Sequence, residues 1–154
     1  MSSGETPAEP PRLSDEEMLA RFNNSKKRPP CSDTVGMKLT HVDQAKMTAR
    51  YEFEGKPEFA NPTGAIQGGF VCAMLDEAMS ATAIIVSNVT MNAPTLEMKV
   101  SFLRPLFIGR AMAEARVLKW GKSTCFIEAD LFNPAGELVA KASATQAPKP
   151  FKRF

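Results

Sequence analysis

The stretch that decides the fold is residues 61–87, NPTGAIQGGFVCAMLDEAMSATAIIVS. Its first part, residues 61–69, is rich in residues that favour turns, and it predicts a loop. Its second part, residues 70–87, is apolar on most faces and predicts a helix. A helix that is apolar all round has to be buried, so we expect the rest of the chain to wrap around this one.

Extended runs flank the predicted helix on both sides. Two precede it, at residues 35–41 and 46–54, and four follow it, at 94–103, 110–120, 123–132 and 137–146. Consecutive strands joined by tight turns form a largely antiparallel sheet. One sheet curled around one apolar helix buries both surfaces. We therefore predict an α+β fold of the hotdog type, with an antiparallel sheet curled around one long central helix and a short N-terminal helix.

The chain length of 154 residues predicts one compact domain. We place this domain at residues 31–148, between an N-terminal tail and short helix at 1–30 and a C-terminal tail at 149–154. Residues 1–12 have the composition of a disordered tail. Ser14 and Glu17 have the spacing of a capping box, which opens the short helix. We expect that helix to pack over a sheet edge or over the mouth of a pocket.

Charge and composition argue against several classes of protein. The net charge is +2, from 19 basic and 17 acidic residues, and this balance argues against nucleic acid or a membrane as partner. Three widely spaced cysteines form no CxxC pair, so we expect neither a disulfide framework nor a metal site. Asp76 and Glu77 in the middle of the apolar helix argue against a membrane span, and residues 1–11 lack the apolar core of a secretory signal. We therefore predict a cytoplasmic protein.

The junction between loop and helix is the first candidate for chemistry. Gln67, Gly68 and Gly69 come directly before the helix, whose first backbone N–H groups have no partner within the helix. Two glycines let a ligand approach that backbone closely, and such a place favours a carbonyl oxygen that gains negative charge. The alternative is a plain glycine turn.

Asp76 is the second candidate, about two turns into the helix. It shares a small, polar stripe with Cys72, Ser80 and Ser87. A carboxylate in the middle of a buried helix is costly unless it is paired or functional. The alternatives are that Asp76 is bonded to a neighbouring strand or subunit, or that Glu77 is the active carboxylate. Glu77 could also serve as the structural partner of a basic residue.

Together these residues resemble the phenylacetate-degradation (PaaI-like) branch of the hotdog acyl-CoA thioesterases. That family shows an Asn, then a His six residues later followed by Gly-Gly, and then an Asp in an L-x-D-x-A setting. The matching residues are Asn61, Gly68, Gly69, Leu75, Asp76 and Ala78. The likeness continues at residues 95–105, 121–123 and 133–140, so it covers roughly residues 34–146.

The resemblance implies an acyl-CoA or aryl-CoA thioesterase with a site shared between two subunits. The Gly68 N–H would polarise the thioester carbonyl, and Asp76 of the partner subunit would act as nucleophile or general base. Asn61 would position the carbonyl or the water, and Thr95 would orient that water beside the carboxylate. The implied assembly is a homodimer or a dimer of dimers, and no cofactor is implied beyond the CoA that belongs to the substrate.

The sequence departs from the family pattern at Gln67, which stands where the family has His. Glutamine forms hydrogen bonds but cannot carry a proton near neutral pH. We expect it to brace the loop. If the family His transfers protons instead, Gln67 cannot replace it, and this chain would be a slow or inactive enzyme. The only histidine, His41, lies on a predicted strand far from the junction, which argues against a histidine-based nucleophile system.

For the CoA moiety, the resemblance implies contacts near strand ends and at the glycine junction. The predicted contacts are Gly69, Arg104, Lys119 and Lys122, and the acyl tail is expected to run beside Met74, Met79 and Ile84. Two other functions stay open. The first is a hotdog protein that binds acyl-CoA or an aromatic acid without turnover, with Gln67 as a sign of lost activity. The second is a hotdog dehydratase.

Overall fold

The computed structural model describes residues 11–151. Its helices are α1 (Asp15–Asn23), α2 (Pro30–Thr34) and α3 (Gly68–Val86), with a 3₁₀ turn at Pro57–Phe59. Its strands are β1 (Lys38–Asp43), β2 (Thr48–Gly55), β3 (Met91–Asn92), β4 (Thr95–Phe102), β5 (Gly109–Trp120), β6 (Cys125–Phe132), β7 (Leu138–Gln146) and β8 (Lys149–Pro150). Of the predicted tails, residues 1–10 and 152–154 lie outside the described residues.

Six strands form one antiparallel sheet in the order β1-β2-β5-β6-β7-β4. The sheet curls around α3, which contacts five of its six strands: β2, β5, β6, β7 and β4. Alanines face the helix along the middle of the sheet, namely Ala111, Ala113, Ala115, Ala129, Ala140, Ala142 and Ala144. Because these side chains are small, α3 can lie close to the strands. The predicted α+β hotdog architecture, with one long central helix and a short N-terminal one, is confirmed.

Three local predictions were wrong. The first strand begins at Lys38 rather than near Val35, because residues 30–34 form α2 and Gly36 then turns the chain at φ +63°. Val35 and Met37 are nonetheless buried, and this burial produced the strand-like alternation. The central helix begins two residues early, at Gly68. The expected C-terminal tail opens with β8, which pairs with β3.

The N-terminal helix α1 covers the β1 edge of the sheet, one of the two places predicted for it. Its capping box is present, with the Glu17 N–H donating to Ser14 Oγ at 3.1 Å and the Ser14 N–H to Glu17 Oε2 at 2.7 Å. Asn23 then pairs with the edge: its Nδ2 donates to the Leu39 carbonyl at 2.8 Å, and its Oδ1 accepts from the Leu39 N–H at 3.2 Å. The helix therefore closes the β1 edge.

One face of the central helix α3 is less buried than the sequence predicts. Met74, Leu75 and Met79 of α3 are 0% exposed, whereas Asp76 and Glu77 are only partly buried. By length and composition α3 could cross a membrane, and half of it is buried within the fold, as in many core helices. Within one chain, the expectation of a helix buried all round is met on one side only.

Candidate active site

The N-terminus of α3 is capped by the side chain of Gln67. Gln67 has extended backbone angles (φ −63°, ψ 139°), and its Oε1 accepts a hydrogen bond from the Gly69 N–H at 2.7 Å. This is the role of an N-cap residue, and it explains why the helix begins at Gly68. The Gly69 N–H is thereby occupied. In the part of the chain that the structure describes, the Gly68 N–H has no acceptor and is the one left to receive a ligand.

The loop before the helix is braced by Asn61. Its Oδ1 accepts from the Thr63 N–H at 2.9 Å, the Thr63 hydroxyl at 2.7 Å and the Ala65 N–H at 3.3 Å. The loop is also tied down at its end, where the Gln67 N–H donates to the Phe59 carbonyl at 2.8 Å. With its oxygen committed, Asn61 has its Nδ2 amide left to meet a ligand.

A surface groove of about 470 Å³ brings several predicted residues together. Asn61, Gly68 and Arg104 line it, together with the side chain of Phe102, which is 56% exposed. Phe102 closes over the helix start: a Cβ on Gly68 would lie 3.3 Å from its ring. A glycine therefore gives a ligand room to reach the free N–H beside an apolar ring.

Asp76 is held by the first residue of β4. The Thr95 hydroxyl donates to Asp76 Oδ1 at 2.7 Å, and Thr95 Oγ1 in turn lies 3.2 Å from the Nε2 of Gln146. Gln146 Nε2 also donates to Ser80 Oγ at 3.1 Å. Asp76 is thus bonded to a neighbouring strand, which was one of the alternatives, and the partner is Thr95, which was predicted beside it.

Asp76 and the Gly68 N–H do not face each other within one chain. Eight residues of helix separate them, which corresponds to about 12 Å along the helix axis. A carbonyl oxygen within hydrogen-bond distance of the Gly68 N–H is therefore out of reach of Asp76 of the same chain. If both act on one thioester, they come from different copies.

Glu77 forms hydrogen bonds that link two helices. It accepts hydrogen bonds from the Ser32 hydroxyl at 2.8 Å and the Cys31 thiol at 3.2 Å, so it anchors α2 to α3. The hydrogen bond to Glu77 raises the pKa of the Cys31 thiol above its ordinary value. The Cys72 thiol also has a raised pKa, first because of burial and then because of the charge of Asp76. Neither cysteine is thus activated as a thiolate nucleophile.

The predicted CoA contacts lie at two ends of the sheet. Arg104 is exposed at the Gly68 end, where its Nη1 donates to the Leu138 carbonyl at 2.9 Å. Lys119 and Lys122 are exposed around the β5–β6 turn, at the end that also carries Thr95. One chain therefore does not bring these three basic residues together.

Other predicted positions are remote or closed. His41 is exposed on β1, the strand farthest from β4 in the sheet. Met74 and Met79 are 0% exposed in the core, so an acyl tail beside them would have to displace packed side chains. Ile84, the third residue of the predicted path, is only partly buried, and the path of the tail stays a prediction.

Two residues of this region escaped the sequence reasoning. Gln146 follows Ala140, Ala142 and Ala144 at the inward positions of β7, and a polar residue in that series was the signal available. Phe102 sits at the end of an alternating strand, and nothing in the sequence indicates that its ring lies over the helix start. The contact between Gln146 and Thr95 depends on the register of β4 against β7.

Known proteins share both the sequence and the structure. The family model described as "Thioesterase superfamily" matches residues 63–140. A Saccharolobus solfataricus protein whose name describes it as an esterase is 31% identical over 66% of this chain and 71% of its own length. Human acyl-coenzyme A thioesterase 13 is 28% identical over 71% of this chain and 79% of its own. The crystal structure of a phenylacetic acid degradation-related protein from Ralstonia eutropha matches with a TM-score of 0.78 at 28% identity, covering 84% of this chain and 98% of that one.

Proposed function

The chain belongs to the thioesterase superfamily, and from this premise we propose that it hydrolyses acyl-CoA thioesters to the free acid and CoA. Membership makes it a thioester hydrolase with the hotdog fold, and its similarity to a phenylacetic acid degradation-related protein confirms the PaaI-like resemblance. The human relative, an acyl-coenzyme A thioesterase, supports CoA as the thiol of the substrate. The observation that carries the proposal is the free Gly68 N–H at the start of the central helix.

In this proposal the Gly68 N–H binds the thioester oxygen. The positive end of the helix dipole and an N–H without a partner favour the negative charge that develops on that oxygen as the carbonyl carbon becomes tetrahedral. Gln67 supports this role by capping Gly69, which fixes the first turn. The Gln67 side chain thus braces the helix start and needs no proton of its own.

Asp76 supplies the carboxylate of the reaction. An ionised carboxylate only accepts hydrogen bonds, and the Thr95 hydroxyl occupies Oδ1, so Oδ2 is left for chemistry. Oδ2 either removes a proton from water as the water oxygen attacks the carbonyl carbon, or attacks that carbon itself. In both routes the C–S bond breaks, CoA leaves as the thiolate and is protonated, and water supplies the new oxygen of the acid.

A homodimer is the smallest assembly that fits the two halves of the site. The 12 Å between Gly68 and Asp76, estimated from about 1.5 Å per helical residue, requires a second copy to complete each site. Because α1 packs against the β1 edge, β4 is the edge strand beyond which no described element lies. Exposed apolar side chains follow the same strand, among them Phe102, Leu103 and Phe107.

The same arrangement gathers the basic residues. Where the Asp76 end of one subunit meets the Gly68 end of its partner, Lys119 and Lys122 come from the first subunit and Arg104 from the second. All three are exposed, and guanidinium and ammonium groups bind phosphate oxygens through charge-assisted hydrogen bonds. We propose these residues as contacts for the CoA phosphates.

The test is thiol release, followed with Ellman's reagent, from short, medium, long and aromatic acyl-CoAs. We expect Asp76→Asn to lower kcat by about 10²–10⁴-fold with acyl-CoA binding retained. Gly68→Pro should lower kcat by about 10²–10³-fold, because it removes the N–H at a helix position that accepts proline. Gly68→Ala is the matched control, since it places a Cβ against Phe102 but keeps the N–H.

The outcomes separate the three functions considered. Wild-type turnover that survives in Asp76→Asn would contradict the role of Asp76. No thiol release from any substrate by folded protein, with acyl-CoA binding seen by calorimetry, would support the non-catalytic binder that Gln67 raises as an alternative. Hydration of an enoyl-CoA without thiol release would support the dehydratase.

A further inference from the structure

We propose that Gln146 is a positioning residue that sets the direction of the hydrogen bond from Thr95 to Asp76. This inference rests on the proposed function, in which Asp76 is the reacting carboxylate. Gln146 ends β7 and pairs across the sheet with Thr95, so its side chain enters the core beside the β4 end of the site. It is 0% exposed, so it is shielded from a ligand at the surface of the chain.

The protons along this chain of contacts can be assigned from chemistry alone. Asp76, when ionised, only accepts, so the 2.7 Å contact requires the Thr95 hydroxyl to donate to it. A hydroxyl has one proton, so the second contact of Thr95 Oγ1, at 3.2 Å, must be one that it accepts. Only the Nε2 end of the Gln146 amide can donate. The amide orientation is therefore fixed by the need of Thr95 to give its proton to Asp76.

Turning the amide by 180° would reverse this arrangement. Oε1 would then face the Thr95 hydroxyl and compete with Asp76 for its proton. In the observed orientation the same Nε2 also donates to Ser80 Oγ at 3.1 Å. Gln146 thus holds two hydroxyls as acceptors and leaves the Thr95 proton with one possible partner, the carboxylate.

The other end of the amide shows what this orientation costs. Gln146 Oε1 is buried and has no donor among residues 11–151. A buried acceptor without a partner destabilises the folded state, and an apolar side chain of similar volume would avoid this cost. Packing alone therefore gives no reason for glutamine here, whereas the donor end has a defined task.

The consequence for catalysis is a fixed carboxylate. With Oδ1 tied to Thr95, the Asp76 side chain keeps one orientation, and Oδ2 is presented to the reacting carbon or to water. Gln146 acts only through Thr95. Without Nε2 the Thr95 oxygen is no longer held, and its hydroxyl can rotate away from Asp76, so the loss of Gln146 should lower kcat while leaving KM nearly unchanged. Its effect should also disappear once the Thr95 hydroxyl is gone.

The experiment is a double-mutant cycle of Gln146→Met and Thr95→Val, with kcat and KM measured by thiol release. We expect Gln146→Met to lower kcat by about 10- to 100-fold at unchanged KM. The double variant should have the kcat of Thr95→Val alone. Gln146→Leu repeats the test with a branched side chain if Gln146→Met does not yield folded dimer.

Gln44→Met is the matched control. Gln44 is also a buried glutamine with an unpartnered Oε1, and its Nε2 also serves two acceptors, the Leu13 carbonyl and Asp15 Oδ1, each at 2.9 Å. It lies beyond β1, away from Asp76, so Gln44→Met should lower the Tm and leave kcat unchanged.

Three results would overturn the inference. One is wild-type kcat in folded Gln146→Met; another is a double variant in which the two losses of kcat multiply; the third is an equal loss of kcat in Gln44→Met. An inactive Asp76→Asn together with a fully active Gln146→Met would reject this inference alone. An active Asp76→Asn would reject the proposed function instead.

Discussion

Gln67, which stands where the family pattern has His, caps the start of the central helix. The helix start needs an acceptor for the Gly69 N–H, and Gln67 Oε1 provides it at 2.7 Å. Any side chain with an acceptor at that position can cap the first turn, and no proton transfer is involved. Gln67 can therefore cap the first turn of the helix without changing its protonation state.

The buried thiol of Cys125 should make the stability of the fold depend on pH. Burial raises the pKa of its thiol from 9.0 to about 11. A raised pKa means that the folded state keeps the proton longer than the unfolded state, so this stabilisation is complete below pH 9 and is lost as the pH rises towards 11. At a pH above both of these pKa values, the free energy of unfolding is lower by roughly 2–3 kcal/mol.

Urea unfolding of wild type and Cys125→Ala across this alkaline range measures the effect. The free energy of unfolding should fall more steeply with pH in wild type than in the variant. Tyr51 is present in both proteins and has a raised pKa as well, because of burial, so it cancels in the difference. Parallel curves for the two proteins would show that the Cys125 thiol does not titrate differently on folding.

At the scale of elements, the two edges of the sheet are treated differently. On β1, the amide of Asn23 imitates a paired peptide by bonding both the N–H and the carbonyl of Leu39. The register of β1 against β2 shifts between Leu39 and His41, next to this contact. On β4 no described element occupies the outer edge. In the proposed dimer, this difference favours β4 over β1 as the edge at which two copies meet.

Asn23→Ala tests the covered edge. The variant leaves the Leu39 N–H and carbonyl without their partner, so we expect a loss of about 1–3 kcal/mol in unfolding free energy. Asn24→Ala, at the exposed next residue, is the control and should change it by less than about 0.5 kcal/mol. Both variants should keep wild-type kcat, because the β1 edge lies away from the site. An unchanged stability in Asn23→Ala would mean that water replaces the amide without cost.

At the scale of the whole molecule, the proposed site requires two copies. The helix start and the carboxylate lie on one straight element, and the length of that element keeps them apart. In a dimer with two-fold symmetry, the contact that brings Gly68 of one subunit to Asp76 of its partner occurs twice. Two equivalent sites then follow from one contact surface.

Mixing subunits tests this arrangement directly. Asp76→Asn and Gly68→Pro should each be inactive alone, whereas a refolded equimolar mixture should regain about a quarter of the wild-type rate. This recovery arises because half of the dimers are mixed, and each of those has one site with both an intact Asp76 and an intact Gly68. A mixture that stays inactive, with mixed dimers demonstrated by mass spectrometry, would place both groups of a site in the same chain.

The sequence by itself determined the order of the main elements, the curled antiparallel sheet, the central helix and the junction at Gln67 to Gly69. These follow from local periodicity, from turn residues and from a motif within one continuous segment. It did not determine α2, whose buried flanking residues alternate as a strand does, or the short pairing of β3 with β8.

The family resemblance placed Thr95 beside Asp76, but only the tertiary structure decided that Gln146 meets Thr95 there. Thr95 and Gln146 are 51 residues apart in sequence, and they share a contact because β4 and β7 pair in one particular register. The anchoring of Glu77 by Ser32 likewise depends on where α2 packs. Periodicity reports which face of an element is buried, but it carries no information on which distant residue lies opposite. That choice is made by strand register and by packing, which act between segments far apart in the chain.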